Sequence, residues 1–133
     1  MALLIDTDLL INLERAAAVG PIEERLGGED CAISVITVSE LLHGVLRATG
    51  ARRTSRRAFV EHLLAGLQAI PITETVARVH AEIWADLSAH GQLIGAHDLW
   101  IAATATTHGL GVATRNAAEF ARIPGLRVVT RSV

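Results

Sequence analysis

The sequence predicts an α/β domain in which a central parallel sheet carries helices on both faces. Short apolar runs rich in β-branched residues alternate with longer segments of helical periodicity along the chain. Hydrophobic residues make up 50% of the 133 positions but aromatic residues only 3%. The core must therefore consist mainly of Leu, Ile, Val and Ala, which suits helices packed closely on a sheet. The length is normal for one compact domain.

The first half of the chain is expected to contain two strands and four helices. In order, these are a strand over 2–5, helices over 7–13 and 21–26, a strand over 31–36, and helices over 37–49 and 51–67. Pro21 favours the first turn of its helix, and Gly27 with Gly28 favours its end. Gly50 is expected to end the helix that begins at Thr37.

The second half of the chain is expected to contain three more strands and two longer helices. In order, these are a strand or extended segment over 69–72, a helix from 73 to about 90, a helix over 98–108, a strand over 111–114, a turn or short helix through 120, and a strand over 127–130. Val76, Val79, Ile83 and Leu87 recur at helical spacing, and Gly91 is expected to end that helix.

Composition excludes several classes of protein. The 12 basic residues, all Arg, and the 14 acidic residues leave a net charge of −2, so overall charge does not indicate nucleic-acid binding. Cys31 is the single cysteine, which excludes an internal disulfide and a cysteine-based metal cluster and favours a reducing cytoplasm. The N-terminus lacks a basic signal-peptide region, and no apolar stretch approaches the roughly 18 residues of a membrane span.

Three acidic residues lie at the junctions between predicted apolar core elements and the segments next to them in sequence. Asp6 follows the first strand, Glu40 follows the second, and Asp98 precedes an Ala-rich helix. A parallel sheet gathers groups at the carboxyl ends of its strands, so these carboxylates are expected to converge. Converging carboxylates repel one another and favour a cation between them. Hard oxygen ligands suit Mg²⁺ or Mn²⁺ better than zinc.

Four segments, LLIDTDLLI, TVSELLHGV, AHDLWIAATA and VATRNAAEF, carry these residues in order along the chain. They resemble the motifs of the PIN-domain family, and within it the VapC-type toxins of bacterial toxin–antitoxin pairs. The resemblance covers nearly the whole chain. It implies a single PIN-like domain over residues 1–133, with a three-layer α/β/α architecture.

The same resemblance implies a metal-dependent endoribonuclease that hydrolyses RNA phosphodiesters with metal-activated water. The implied ligands of Mg²⁺ or Mn²⁺ are Asp6, Glu40 and Asp98. The fourth acidic position departs from the family pattern, because Asn116 stands where Asp is frequent. Glu119 lies three residues on and is a candidate to restore the charge, so both join the catalytic set. Whether the site takes one metal or two stays open.

The resemblance also implies a homodimer and a cognate antitoxin whose tail blocks the acidic site. Residues expected to contact RNA are the hydroxyl donors Thr7 and Thr114, together with Asp8, which is placed to hold a water or an RNA hydroxyl. A dense basic cluster consists of Arg47, Arg52, Arg53, Arg56 and Arg57. It is either an RNA backbone track, with the last four as its expected RNA contacts, or a solvated helix start facing an acidic partner.

Alternatives remain for the site and for the activity. Glu40 is also placed to close a capping box with Thr37. A catalytically weak or inactive PIN-like binding module is the second functional hypothesis, and Asn116 favours it. Phosphoryl transfer on aspartate is a third, which the absence of lysine opposes. The motifs do not specify the target among transfer, ribosomal and messenger RNA.

Overall fold

The computed structural model describes residues 2–15 and 30–130. Within this part of the chain, five strands form one sheet in the order β3-β2-β1-β4-β5. All four pairings are parallel. The strands are β1 (Leu3–Ile5), β2 (Cys31–Ser34), β3 (Gln68–Ile70), β4 (Gly111–Thr114) and β5 (Val128–Thr130). The chain therefore builds outward from β1 to β3 and then crosses to β4, on the other side of β1.

Six helices connect and flank these strands in the described residues. They are α1 (Thr7–Arg15), α2 (Val35–Arg47), α3 (Gly50–Gly66), α4 (Glu74–Ala89), α5 (Ala96–His108) and α6 (Ala117–Phe120). None of them is long and apolar enough to cross a membrane.

Alternate side chains of β1 point to opposite faces of the sheet, and each face has its own core. Leu3 and Ile5 pack with residues of α1, α2 and α3. Leu4 packs on the other face with residues of α4 and α5, including Leu87 and Ala102. This period of two along a strand covered on both faces gives the three-layer α/β/α arrangement that the sequence predicts.

The start of α2 differs from the prediction. Ser34 is the N-cap, and its side chain accepts a hydrogen bond from the Ile36 N–H at 3.1 Å. The strand therefore ends at Ser34, and the helix begins at Val35 instead of Thr37. Because Thr37 and Glu40 both lie inside the helix, the capping-box reading of Glu40 is wrong.

The role predicted for Gly50 is also wrong, since Gly50 opens α3 and Ala48 is the C-cap of α2. The other described boundaries agree with the predictions within two residues. Gly109 ends α5 in the left-handed conformation at φ 66°, and its N–H donates to the carbonyls of Ala105 and Thr106. The helix predicted over 21–26 lies outside the described residues.

Candidate active site

The candidate site lies at the carboxyl ends of β1 and β4, where the chain reverses its direction across the sheet. Asp6 directly follows β1, and its N–H donates to the carbonyl of Ala113 in β4 at 2.9 Å. The Asp6 side chain is only 3% exposed. Between β1 and β4 the strand order of the sheet reverses, and the loops that follow these two strands run in opposite directions. In parallel sheets a crevice forms between two such loops.

Predicted catalytic residues from separate segments line one small cavity in this crevice. The cavity has a volume of about 220 Å³ and is lined by Asp6, Thr7, Asp8, Ile11, Glu40, Asp98 and Asn116. Glu40 comes from α2, and Asp98 comes from the first turn of α5. The Glu119 carboxylate accepts a hydrogen bond from the cavity-lining Asn116 and contributes to the raised pKa of Asp98, so it also borders the site.

Buried threonine hydroxyls hold two of the carboxylates. Thr114 Oγ1 donates to Asp6 Oδ2 at 2.8 Å. Thr7 Oγ1 lies 2.8 Å from Glu40 Oε1 and 2.9 Å from Thr37 Oγ1. A hydroxyl carries a single hydrogen, so Thr7 donates to one of these acceptors at a time.

These contacts give the threonines an orienting role toward the carboxylates. Thr7 is 4% exposed and Thr114 is fully buried. Their contact with RNA phosphate remains a prediction, but both hydroxyls already have carboxylate partners. Thr37 also belongs to this network. The sequence suggested only a capping role for it, because the packing of α1 against α2, which brings it to Thr7, has no local sequence signal.

Burial and neighbouring carboxylates raise the pKa of Asp6 and of Asp98. Burial is the largest cause of the raised pKa of Asp98, which reaches about 7; the hydrogen bond to Glu119 and the charges of Asp6, Glu119 and Glu40 add to it. Burial also raises the pKa of Asp6, with smaller contributions from the charges of Asp8 and Glu40, while the Thr114 hydrogen bond opposes the shift. The cluster is therefore unfavourable when fully ionised without a nearby cation.

The donor chemistry of the cavity fits a hard divalent cation. Its lining offers carboxylate, amide and hydroxyl oxygens and includes no Arg or His side chain. Such oxygens are the preferred ligands of Mg²⁺ and Mn²⁺. Across residues 2–15 and 30–130, no group of three or more His, Cys, Asp or Glu side chains is arranged so that it could hold a metal ion as it stands. The fit therefore lies in the type and charge of the donors, and water would complete the coordination.

A larger groove continues from the acidic cavity and shares Thr7, Ile11 and Glu40 with it. Its volume is about 690 Å³, and it runs between α1, α2 and the start of α3. His43 lines this groove, as does His97, whose Nδ1 lies 3.2 Å from Glu40 Oε2. Neither histidine was predicted as a metal ligand, but His97 is a direct neighbour of the site.

The structure divides the basic cluster into two groups. The arginines that line the groove are Arg15, Arg47, Arg52 and Arg56. Arg53 instead donates to the carbonyls of Leu46 and Ala48 at the end of α2. Arg57 is exposed and does not line the groove. Arg15 reaches the groove from α1, far from the cluster in sequence, which explains why the cluster did not indicate it.

One groove arginine is already engaged by an acid. Arg56 Nε lies 3.0 Å from Glu14 Oε1, and each side chain is about one quarter exposed, at 25% and 26%. This pair ties α1 to α3 across the groove. Arg47 and Arg52 also line the groove, and both are exposed. Among the arginines of the predicted cluster, these two are best placed to bind a ligand.

Comparison with known proteins decides the family. The model of the PIN domain matches residues 3–126. Ribonuclease VapC1 of Rickettsia felis is 38% identical over 133 residues, which cover 99% of this chain and 98% of the relative. The chain belongs to the PIN-domain family.

Two further relatives place this PIN domain among the VapC ribonuclease toxins of toxin–antitoxin systems. The tRNA(fMet)-specific endonuclease VapC of Salmonella typhimurium is 37% identical over 97 residues, which cover 72% of this chain and 71% of the relative. The crystal structure of DNA-bound VapBC from Salmonella typhimurium matches with a TM-score of 0.86 and 30% identity, over 98% of each chain. The PIN-like α/β fold and the toxin family predicted from the motifs are thus confirmed.

Proposed function

We propose that this PIN domain is an endoribonuclease toxin that depends on Mg²⁺ or Mn²⁺ held by Asp6, Glu40 and Asp98. The observation that carries the proposal is the cavity in which carboxylates from three distant segments meet with no cationic side chain in its lining. When bound there, the cation supplies an activated water and charge neutralisation at the scissile phosphate.

The protein's own groups prepare the cavity for that chemistry. The Thr114 hydroxyl holds Asp6, and the Thr7 hydroxyl holds Glu40, so both carboxylates keep their orientation before substrate arrives. Burial of Asp6 and Asp98 removes water that would screen their charges. Asp8 is exposed at the wall of the cavity and is placed to accept a hydrogen bond from a water or an RNA hydroxyl.

The groove beside the cavity is the proposed path of the RNA backbone. Arg47 and Arg52 are exposed along it, and arginine binds phosphate through a planar fork of donors. Glu40 lies in both the groove and the cavity, so a chain bound along the groove passes the proposed metal ligands. The Salmonella typhimurium relative is a tRNA(fMet)-specific endonuclease, which makes transfer RNA the first substrate to test.

The proposed partner is a cognate antitoxin that occupies the same groove. The matched Salmonella typhimurium structure is a VapBC complex, which supports a protein partner of this kind. An antitoxin segment that carries a basic side chain into the acidic cavity would neutralise the carboxylates and exclude both cation and RNA. We also propose that the toxin itself is a homodimer.

The deciding experiment is cleavage of transfer RNA and total RNA by the purified chain with Mn²⁺, Mg²⁺ or EDTA. Asp98→Asn is expected to lower the rate at least ~100-fold, because it removes one of the proposed metal ligands. Asp86→Asn is the matched control, since Asp86 is exposed on α4, away from the cavity. Cleavage that persists in EDTA, or in Asp98→Asn, contradicts the assignment.

The second candidate function is a catalytically weak or inactive binding module, which Asn116 favours because it brings no charge to the fourth acidic position. A folded protein that binds RNA but neither cleaves it nor binds Mn²⁺ would support this alternative.

A further inference from the structure

An amide side chain lies among the carboxylates at the end of β4. Asn116 lines the acidic cavity, and its Nδ2 donates a hydrogen bond of 2.8 Å to Oε2 of Glu119. Its backbone N–H donates to Thr114 Oγ1, also at 2.8 Å. Both the main chain and the side chain of Asn116 are therefore held, and its Nδ2 can act only as a donor.

The bond from Asn116 directs Glu119 toward another carboxyl group. Glu119 lies on α6, a helix of only four residues, and its carboxyl group is close enough to Asp98 to contribute to the raised pKa of that residue. An ionised Asp98 would repel an ionised Glu119 and favour rotamers that turn the Glu119 side chain to solvent. The donor on Asn116 opposes that repulsion, because a hydrogen bond to a carboxylate is stronger than one between neutral groups.

The same residue connects the two sides of the site. Thr114 Oγ1 accepts from the Asn116 N–H and donates to Asp6 Oδ2. A continuous chain of hydrogen bonds thus runs from Asp6 through Thr114 and Asn116 to Glu119. The orientation of the Asp6 and Glu119 carboxylates therefore depends on Thr114 and Asn116 together.

We propose that Asn116 is a positioning residue that holds the Glu119 carboxylate at the edge of the acidic cavity, beside Asp98. The inference rests on the proposed metal-dependent function and deepens it. It assigns Asn116 a task that an aspartate could not perform, because an ionised aspartate has no donor and would repel Glu119. A role for Asn116 as a neutral oxygen ligand would give the opposite expectation for that substitution.

The substitution Asn116→Asp therefore distinguishes a metal ligand from a positioning residue, because the two roles predict opposite changes in Mn²⁺ affinity. Aspartate is nearly isosteric with asparagine and serves equally well at an N-cap, which is the position of residue 116 in α6. If Asn116 were a weak ligand, Asp at this position would bind Mn²⁺ more tightly. If Asn116 positions Glu119, affinity falls. Ala118→Asp is the matched control, because it adds the same charge at an exposed neighbouring site on α6.

The experiment is Mn²⁺ titration of metal-free protein by calorimetry, with melting curves in EDTA to verify that each variant folds. Asn116→Asp and Asn116→Ala are each expected to weaken Mn²⁺ binding about 10-fold, the usual cost of losing a partner that orients a ligand. Glu119→Gln should weaken it as well. Adding Asn116→Ala to Glu119→Gln should cause no further loss, because Asn116 acts through Glu119. Ala118→Asp should bind as the parent does.

Tighter Mn²⁺ binding by Asn116→Asp, or additive losses in the double variant, would overturn the positioning role while leaving the metal site intact. A parent protein that binds no Mn²⁺ would overturn the proposed function, and this inference with it. The two failures are thus distinguishable in one set of titrations.

Discussion

Single residues of the site work against the stability of the metal-free fold. Asp6 and Asp98 are held close to other carboxylates, and burial raises the pKa of both. Thr114 offsets part of this cost at Asp6 by donating a hydrogen bond. Functional sites commonly collect such perturbed groups, since the geometry that binds a cation is unfavourable without it. Neutralising one carboxylate should therefore stabilise the empty protein.

The pH dependence of stability should reveal this effect at Asp98. Its folded-state pKa of about 7 lies above the ordinary value of 3.8, so the folded protein holds this proton more tightly than the unfolded chain. The contribution to stability is complete below pH about 4 and is lost as pH rises through about 7. In EDTA at pH 8, Asp98→Asn should melt about 4 °C above the parent, and near pH 4 the two should coincide.

Melting curves from pH 4 to 8 provide the measurement, with Asp86→Asn as control. Added Mn²⁺ should reverse the order at pH 8, because the parent binds it more tightly. Parallel curves for the parent and Asp98→Asn across the whole range would show that Asp98 ionises normally.

The carboxylates of the site could be predicted from the sequence, but the hydrogen bonds among the threonine hydroxyls could not. Asp6 and Glu40 come after predicted strands and Asp98 lies at the start of an Ala-rich helix, so their convergence could be predicted from a parallel α/β sheet. The contact between Thr7 and Thr37 depends on how α1 packs against α2, and no local pattern specifies that packing. Asn116 was recognised as a departure from the family pattern, but its bond to Glu119 requires the side-chain geometry.

The start of α2 shows that a local capping motif can be overridden by the pairing of strands in the sheet. Thr37 followed by Glu40 is a recognisable capping box, and it predicted a later start for α2. Ser34 is the actual cap because β2 stops pairing there, opposite Ile70 of β3. The register of the sheet thus decided between two possible caps.

Helical periodicity explains why the basic cluster splits. Arg52 and Arg56 are four residues apart and share one face of α3, and Arg53 and Arg57 share the next. The pairs could be separated from spacing alone. Which pair faces the groove depends on the packing of α3 against α2, and the structure selects Arg52 and Arg56.

Replacing Arg47 and Arg52 by Ala should weaken RNA binding and lower the magnitude of its logarithmic salt slope by roughly 1.4, since each phosphate that an arginine neutralises on a single strand accounts for about 0.7. Fluorescence anisotropy with the Asp98→Asn background avoids cleavage during the titration. Arg57→Ala is the control, because that side chain is exposed but lies off the groove. Equal effects of Arg52→Ala and Arg57→Ala would remove the groove as the RNA path.

The packing of β4 can be tested at Gly111. A Cβ there would lie 2.9 Å from Arg127 Nε and 3.0 Å from Leu3 Cδ2. Because Leu3 is fully buried, Gly111→Ala should lower the free energy of unfolding by about 1–3 kcal/mol. Gly44→Ala in α2 meets no atom within 4 Å and should raise it by about 0.5–1 kcal/mol. Urea unfolding measures both, and a neutral Gly111→Ala would mean that the neighbours yield.

At the scale of the whole molecule, α4 offers an exposed apolar surface for the proposed homodimer. Trp84 is 53% exposed although its ring contacts His80 edge-on, with centroids 5.7 Å apart. Ala81 and Ala85 are exposed beside it. Large exposed apolar side chains on a flat helix face are typical of interfaces between proteins.

Trp84→Glu should convert a dimer to a monomer without unfolding it, because the charge would be buried at the interface but exposed in the free chain. Light scattering after size-exclusion chromatography measures the mass, and Glu82→Gln on the same helix is a control outside this apolar patch. An unchanged dimer would place the interface elsewhere, and a monomeric parent protein would contradict the homodimer itself.

The central position of β1 has a consequence for synthesis of the protein. Asp6 is made among the first residues, but its backbone pairs with Ala113, and the cavity that it lines also needs Asp98 and Asn116. A ribosome-bound chain therefore lacks the assembled site until residues beyond Glu119 have left the exit tunnel. The acidic cavity is therefore one of the last parts of the domain to form during synthesis, and shorter nascent chains carry Asp6 without the cavity that it lines.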